Sequence, residues 1–412
     1  MFNISTDFAP PFRLIAPFFI AGTIAYLLAV LFLPYAGSFL TAGRFDFTII
    51  GWVHLFLLGY VMMIIFGAMA QLIPVVLEIG HYRVKLFYAI FFLLLFGVLF
   101  LIFSFFIQPE TAVVGGVLLS AAFFLFSFNV FMTIKKVQNW SFAAKAVFFS
   151  NIYLVVGTFL GLIMTISISG LLDINIVSFV TAHVFYMVAG YVILTIIGIS
   201  MVLIPMFSLS HGFSQKSAEL SFLFLNISVI LSILKIFTDW KPILYLSLLF
   251  FYLAMVVYIY QVYIIWKGRV RKEQDVWSKS VIVSFLFLIV SLIVGTVYIL
   301  SGIESVLLGA AWFMFAGFFA FLINGHFFKI VPFLVWFDRF SPLVGKQKVP
   351  MLHEMVPKKA SDAEFFFSLV GVTVVGTGII FEKYDIFMAG VSFMIMGAAI
   401  LSYAVLWMIR FK

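Results

Sequence analysis

Runs of about twenty apolar residues recur from one end of this 412-residue chain to the other, and no other feature restricts its fold as strongly. Each run is long enough to cross a hydrocarbon core of ~30 Å. Inside lipid every backbone N–H and C=O has to be bonded within the structure, so such spans become α-helices. Charged residues make up only 10% of the chain, against roughly 25% in soluble domains, so it cannot cover a water-facing surface. The expected fold class is an all-α polytopic membrane protein, with residues 1–412 forming a single membrane domain. No soluble domain of ordinary size fits between the runs, so the chemistry must lie in the bilayer or at its faces.

Twelve spans are predicted, at 11–35, 46–75, 85–107, 112–134, 145–170, 177–207, 217–238, 241–267, 280–301, 305–336, 363–381 and 386–409. Turn punctuation falls between them at Gly80-His81, Asn139, Gly212, Lys267-Gly268, Ser341-Pro342 and Glu382-Lys383. The first run, Phe12 to Tyr35, is too long for a cleaved signal peptide and lacks a strongly basic start. The longest loop, about Phe337 to Ala363, carries prolines and alternating apolar residues. It reads either as an amphipathic piece along the membrane surface or as a solvated linker.

Lysines and arginines are divided unequally between the two faces. Loops that follow even-numbered spans hold sixteen: Arg83, Lys85, Lys135, Lys136, Lys145, Lys216, Lys267, Arg269, Arg271, Lys272, Lys279, Arg339, Lys346, Lys348, Lys358 and Lys359. Loops that follow odd-numbered spans hold four: Arg44, Lys235, Lys241 and Lys383. By the positive-inside rule the first set is cytoplasmic, and both termini with it. The net charge of +8 is accounted for by topology, and a nucleic-acid partner is not expected. Orientation and composition suit a bacterial inner (plasma) membrane. The absence of cysteine excludes disulfides, thiolate zinc sites and iron–sulfur clusters held by this chain.

Spans 2, 6 and 10 share a register. Each has a glycine, a second glycine eight residues on and a proline seven further: Gly59, Gly67, Pro74; Gly190, Gly198, Pro205; Gly317, Gly325, Pro332. An aromatic follows the first glycine each time, as Tyr60, Tyr191 and Phe318. The offsets are 131 and 127 residues, four spans apart. This predicts three four-helix repeats, approximately 1–140, 141–272 and 273–412, arranged as a pseudo-threefold bundle. The glycines would let backbones approach closely, and the prolines would end or kink each helix.

Of six histidines, His81, His211 and His353 fall in loops, where a solvated or interfacial role is expected. His326 directly follows Gly325 and reads as interfacial, or as a group that meets a lipid or quinone headgroup. His54 and His183 lie within spans, five and seven residues before the first repeat glycine. Intramembrane ionisable residues mark function by default, and neutral imidazole is the form that ligates iron. The alternative is that each only hydrogen-bonds to a neighbouring helix.

At these residues the chain resembles the catalytic subunit of the haem–copper oxidase superfamily, which includes cytochrome oxidases and nitric oxide reductases. The resemblance implies twelve helices in pseudo-threefold order with both termini inside. It makes His54 comparable to the family's haem ligand on helix 2, and His183 to its copper ligand on helix 6. Trp52 with His54, and His183 with Phe185, keep the family's frame. Helix 10 departs from it, with Ala310 and Trp312 where the family has two haem ligands, and span 7 has no histidine pair. The expected cofactor is therefore one b-type haem (haem b) near the outer face, with His54 and His183 as cofactor-binding and metal-ligating residues. Copper is not expected. The resemblance further implies respiratory electron transfer or O2/NO chemistry, with redox-complex subunits or a small cytochrome as partners besides the lipid bilayer. Proteins of the nitric oxide response family share the size and hydrophobicity.

Two other functional readings compete: a cofactor-free subunit of a membrane redox complex, and a small-molecule transporter. Carboxylates are nearly absent from the predicted span interiors. Glu304 starts span 10, Glu78 follows span 2 and Asp173 lies in a loop, so proton pumping is not expected. Methionines Met62, Met63, Met69, Met187, Met201 and Met206 read as core filler rather than Cu(I) ligands. Gln71, Asn129, Asn151, Asn226 and Asn324 are expected to hydrogen-bond between helices. Gln71 and Asn324, on the repeated helices, would face any central pathway.

Overall fold

A computed structural model describes residues 10–35, 43–238 and 240–412. Twelve of its helices are long and apolar enough to cross a membrane, and the chain is an all-α, multi-pass membrane protein. In chain order they are α1 Phe12–Tyr35, α2 Phe47–Leu77, α3 Leu86–Phe106, α4 Pro109–Ile134, α5 Phe142–Ile168 and α6 Ile176–Ser208. The second half comprises α7 Lys216–Ile236, α8 Lys241–Lys267, α9 Val276–Ser301, α10 Glu304–Arg339, α11 Lys358–Ile380 and α12 Tyr384–Ile409. Side chains mark several starts by taking up orphan N–H groups. Asp46 accepts from the Thr48 N–H at 2.8 Å, Ser141 from Ala144 at 3.2 Å and Asp275 from Ser278 at 3.0 Å.

The largest departure from the predicted boundaries is at α11, which begins at Lys358 rather than 363. Pro357 precedes its first turn, and Lys358 and Lys359 sit in that turn, where the apolar pattern is still weak. The extension places Glu364 inside the helix.

Burial separates the repeated helices from the rest. In their most apolar stretches α2, α6 and α10 are 67, 78 and 83% buried, against 33% in α3 and 22% in α8. Each repeated helix packs along the helix before it, as α1 with α2, α5 with α6 and α9 with α10. The second glycine of each set explains the close approach. A Cβ there would stand 2.6 Å from the Phe18 Cβ at Gly67, 2.5 Å from the Ala146 Cβ at Gly198 and 2.7 Å from the Ser280 Cβ at Gly325. The two following helices of each set pack as a hairpin, α3 with α4, α7 with α8 and α11 with α12.

The shared prolines lie inside α2, α6 and α10. Four residues beyond them, Glu78 and Leu209 take left-handed backbone (φ 54° and 55°) as α2 and α6 end, whereas α10 continues to Arg339. Contacts group the chain into two compact units. One holds Met69–Glu273, and the other holds Pro11–Ala68 together with Gln274–Lys412. α2 runs from one into the other.

Candidate functional site

Each repeated helix contains a π-helical segment around its first glycine: Leu55–Met62 in α2, Phe185–Ile193 in α6 and Phe313–Phe319 in α10. π-helix is rare and is found disproportionately at functional sites. The segment starts directly after His54, two residues after His183 and directly after Trp312. The two histidines singled out in the sequence therefore each flank a distorted stretch of backbone, and Trp312 holds the matching place on α10.

His54 and His183 belong to different units. His54 is partly buried, and its Nδ1 bonds the Ile50 carbonyl of its own helix at 2.7 Å. A carbonyl only accepts, so Nδ1 carries the proton and the lone pair is on Nε2. His183 Nδ1 donates in the same sense to the Gly157 carbonyl of α5 at 2.9 Å. Its ring lies over Gly161, where a Cβ would come within 2.9 Å of Cε1. The imidazole thus seats against Gly161 and bonds the Gly157 carbonyl, so His183 clasps a neighbouring helix whatever else it does.

On α10 the two positions matched to histidines are filled by packing. Trp312 stacks on Trp52 with ring centroids 5.5 Å apart, and Trp52 stacks on Phe56 at 5.3 Å. Both indole N–H groups are bonded, Trp52 to the Ala29 carbonyl (2.9 Å) and Trp312 to Val372 (3.0 Å). Ala310 is buried, and its carbonyl accepts from Ser291 at 2.8 Å. His326 donates from Nδ1 to the Leu322 carbonyl (2.6 Å), and its Nε2 receives the Trp277 N–H at 3.3 Å. Beside it Lys329 pairs with Asp275 at 2.5 Å.

His81 departs from the solvated role expected of a loop histidine. It is 7% exposed and packs edge-on against Phe87. Pro74 has no N–H to offer the carbonyl four residues back, and His81 Nε2 donates to that Ala70 carbonyl at 2.7 Å. Burial pushes its pKa down from 6.5 to about 4, the Ala70 bond opposing this in part.

A buried polar chain in the unit formed by α1, the first part of α2 and α9 to α12 joins residues that the sequence reading did not connect. The Tyr60 hydroxyl donates to Asn324 Oδ1 at 2.6 Å, and Asn324 Nδ2 donates to Glu364 Oε1 at 3.0 Å. Ser368, one turn along α11, donates to the same oxygen at 3.0 Å. Tyr26 from α1 packs against Tyr60 with centroids 4.7 Å apart. Glu364 is 2% exposed and is the one buried carboxylate among the described residues, an exception to span interiors that are otherwise almost free of carboxylates. The signal was present in Glu364 and Ser368 at helical spacing, but a span starting at 363 left the glutamate at its edge. Asn324 bonds across helices as expected; Gln71 is buried, and among the described residues no hydrogen bond reaches its Oε1.

Among the described residues no group of three or more histidines, cysteines and carboxylates converges as a metal site. His54 and His183 could each offer one imidazole nitrogen to a haem iron, and the residues present do not fit a haem–haem–copper centre. No protein-family model matches the chain, and no curated protein matches it significantly.

Proposed function

We propose that this multi-pass protein is a divergent relative of the haem–copper oxidase catalytic subunit that binds a b-type haem through His54, with His183 as the second candidate ligand. The observation that carries the reading is the pairing of each histidine with a π-helical segment, its Nδ1 proton committed to a backbone carbonyl. A carbonyl on Nδ1 fixes the tautomer and ring orientation and raises the basicity of Nε2, as outer-shell partners of ligating histidines do. Bound haem supplies one-electron transfer and an iron that takes diatomic gases. Trp52, Phe56 and Trp312 stack into an apolar cluster within two residues of His54 along α2 and at the matching place on α10. The lysine and arginine bias supports a bacterial inner-membrane location with both termini cytoplasmic, and redox-complex subunits or a small cytochrome would be the electron partners.

A reduced-minus-oxidised visible spectrum of the detergent-purified protein tests this, with haem extracted and copper quantified from the same sample. The expected result is a b-type signal at one haem per chain and no copper, lost in His54→Ala. Retention of the signal in that variant would refute His54 as ligand. A colourless, folded preparation would refute haem binding and favour a cofactor-free subunit of a redox complex.

A further inference from the structure

Glu364 has no part in the haem reading and stands apart from His54 in its chemistry. Its carboxyl is buried among four helices, and among the described residues no ion pair reaches it. The titratable groups that face it are Tyr26 from α1 and Tyr60 from α2. α10 turns the neutral Asn324 to it, and α12 sets Gly397 against Ser368. At this level α9 contributes Lys279, which is already paired with Asp362 at 3.1 Å. An uncompensated carboxylate in a membrane interior carries a desolvation cost that protonation removes. Two hydrogen bonds donated to Oε1 offset part of that cost for the ionised form. Burial therefore favours the protonated form while the two donated hydrogen bonds favour the ionised one, an opposition that suits a group exchanging a proton in place.

We propose that Glu364 is a proton-exchange site, its carboxylate taking up one proton from the aqueous face at the Lys358 end of α11 and returning it there. The donors decide between a proton and a metal cation. Asn324 presents its NH2 group, not its carbonyl, because the carbonyl accepts from Tyr60. Ser368 likewise presents its O–H. A sodium-like cation needs converging oxygens, whereas the Glu364 oxygen here is surrounded by N–H and O–H donors. Glu364 lies six residues beyond Lys358, about 9 Å along the helix at 1.5 Å per residue. That is a short path to water compared with the ~30 Å core.

Infrared difference spectroscopy of the purified protein in lipid vesicles, titrated with acid and base over the range in which it stays folded, tests the proposal. A carboxylic-acid C=O stretch should appear as the pH falls and be missing in Glu364→Gln. In Asn324→Ala, which removes one hydrogen bond to the ionised form, the midpoint of that band should rise by about one pH unit. The Asn324→Ala shift keeps the test decisive if Glu364→Gln fails to fold, since it is read on a chain that retains the glutamate. A band that never titrates would make Glu364 a permanent structural acid and overturn the proposal. A band moved by added sodium at constant pH would overturn it in favour of a cation site. The outcome is independent of whether the preparation is coloured, so this proposal and the haem reading fail separately.

Discussion

His81 and Pro74 should behave as a coupled pair, although one is in a loop and the other in a membrane-spanning helix. Pro74 deprives the Ala70 carbonyl of its helical partner, and the His81 Nε2–H stands in at 2.7 Å. His81→Leu keeps a side chain against Phe87 but leaves that carbonyl unbonded in a buried place, at a cost of about 1–3 kcal/mol. In a Pro74→Ala background the residue 74 N–H can bond Ala70 along the helix. The same His81→Leu change should then cost well under 1 kcal/mol, a coupling of about 1–2 kcal/mol. The pH dependence carries the same signature. His81 titrates near 6.5 when unfolded but at about 4 in the folded chain. Between those values the unfolded chain binds a proton that the folded chain does not, so stability falls as pH drops through this window. At ~1.4 kcal/mol per pH unit the full loss is about 3 kcal/mol. Reversible unfolding in mixed detergent micelles, followed by loss of helicity at several pH values, measures both effects. Equal costs of His81→Leu in the two backgrounds would refute the capping argument, and an undiminished acid slope in His81→Leu would refute the titration.

Two smaller tests bear on packing and caps. Alanine at Gly67, Gly198 or Gly325 should destabilise by about 1–3 kcal/mol each, because the new Cβ meets a neighbouring helix at 2.5–2.7 Å. Unfolding midpoints should show all three variants weakened, and a neutral Gly198→Ala would count against the shared close approach. Asp275→Ala removes both the α9 cap and the Lys329 partner, so it should cost about 1–2 kcal/mol. Lys329→Met leaves the cap in place and should cost less by the same measurement. The reverse order would mean that the ion pair, rather than the cap, holds this corner.

The glycine and proline register of α2, α6 and α10 was legible in the sequence because backbone approach and a missing N–H are properties of the residue type itself. It marked the three most buried helices, each of which lies close along its predecessor. The π-helical segments around Gly59, Gly190 and Gly317 have no residue signature of their own. An extra residue in a helical turn arises where packing on both sides of the backbone fixes it, and only the folded chain shows that.

Span number and the all-α class follow from the sequence alone, because the cost of an unbonded peptide in lipid leaves one local solution for each apolar run. The histidine candidates were legible for a related reason, since a polar residue in such a run stands out. What surrounds each of them was not. That His183 seats against Gly161 and bonds the Gly157 carbonyl, that Trp312 stacks on Trp52, and that His81 serves a carbonyl orphaned by Pro74 depend on contacts between distant parts of the chain. Glu364 gives the clearest division. Its identity is a letter near a predicted helix boundary, whereas its burial beneath Asn324 and Tyr60 is set by residues up to 304 positions away in the sequence. Hydrophobicity is local and additive along the chain; the partners of a buried polar group are neither, and only the tertiary structure decides them.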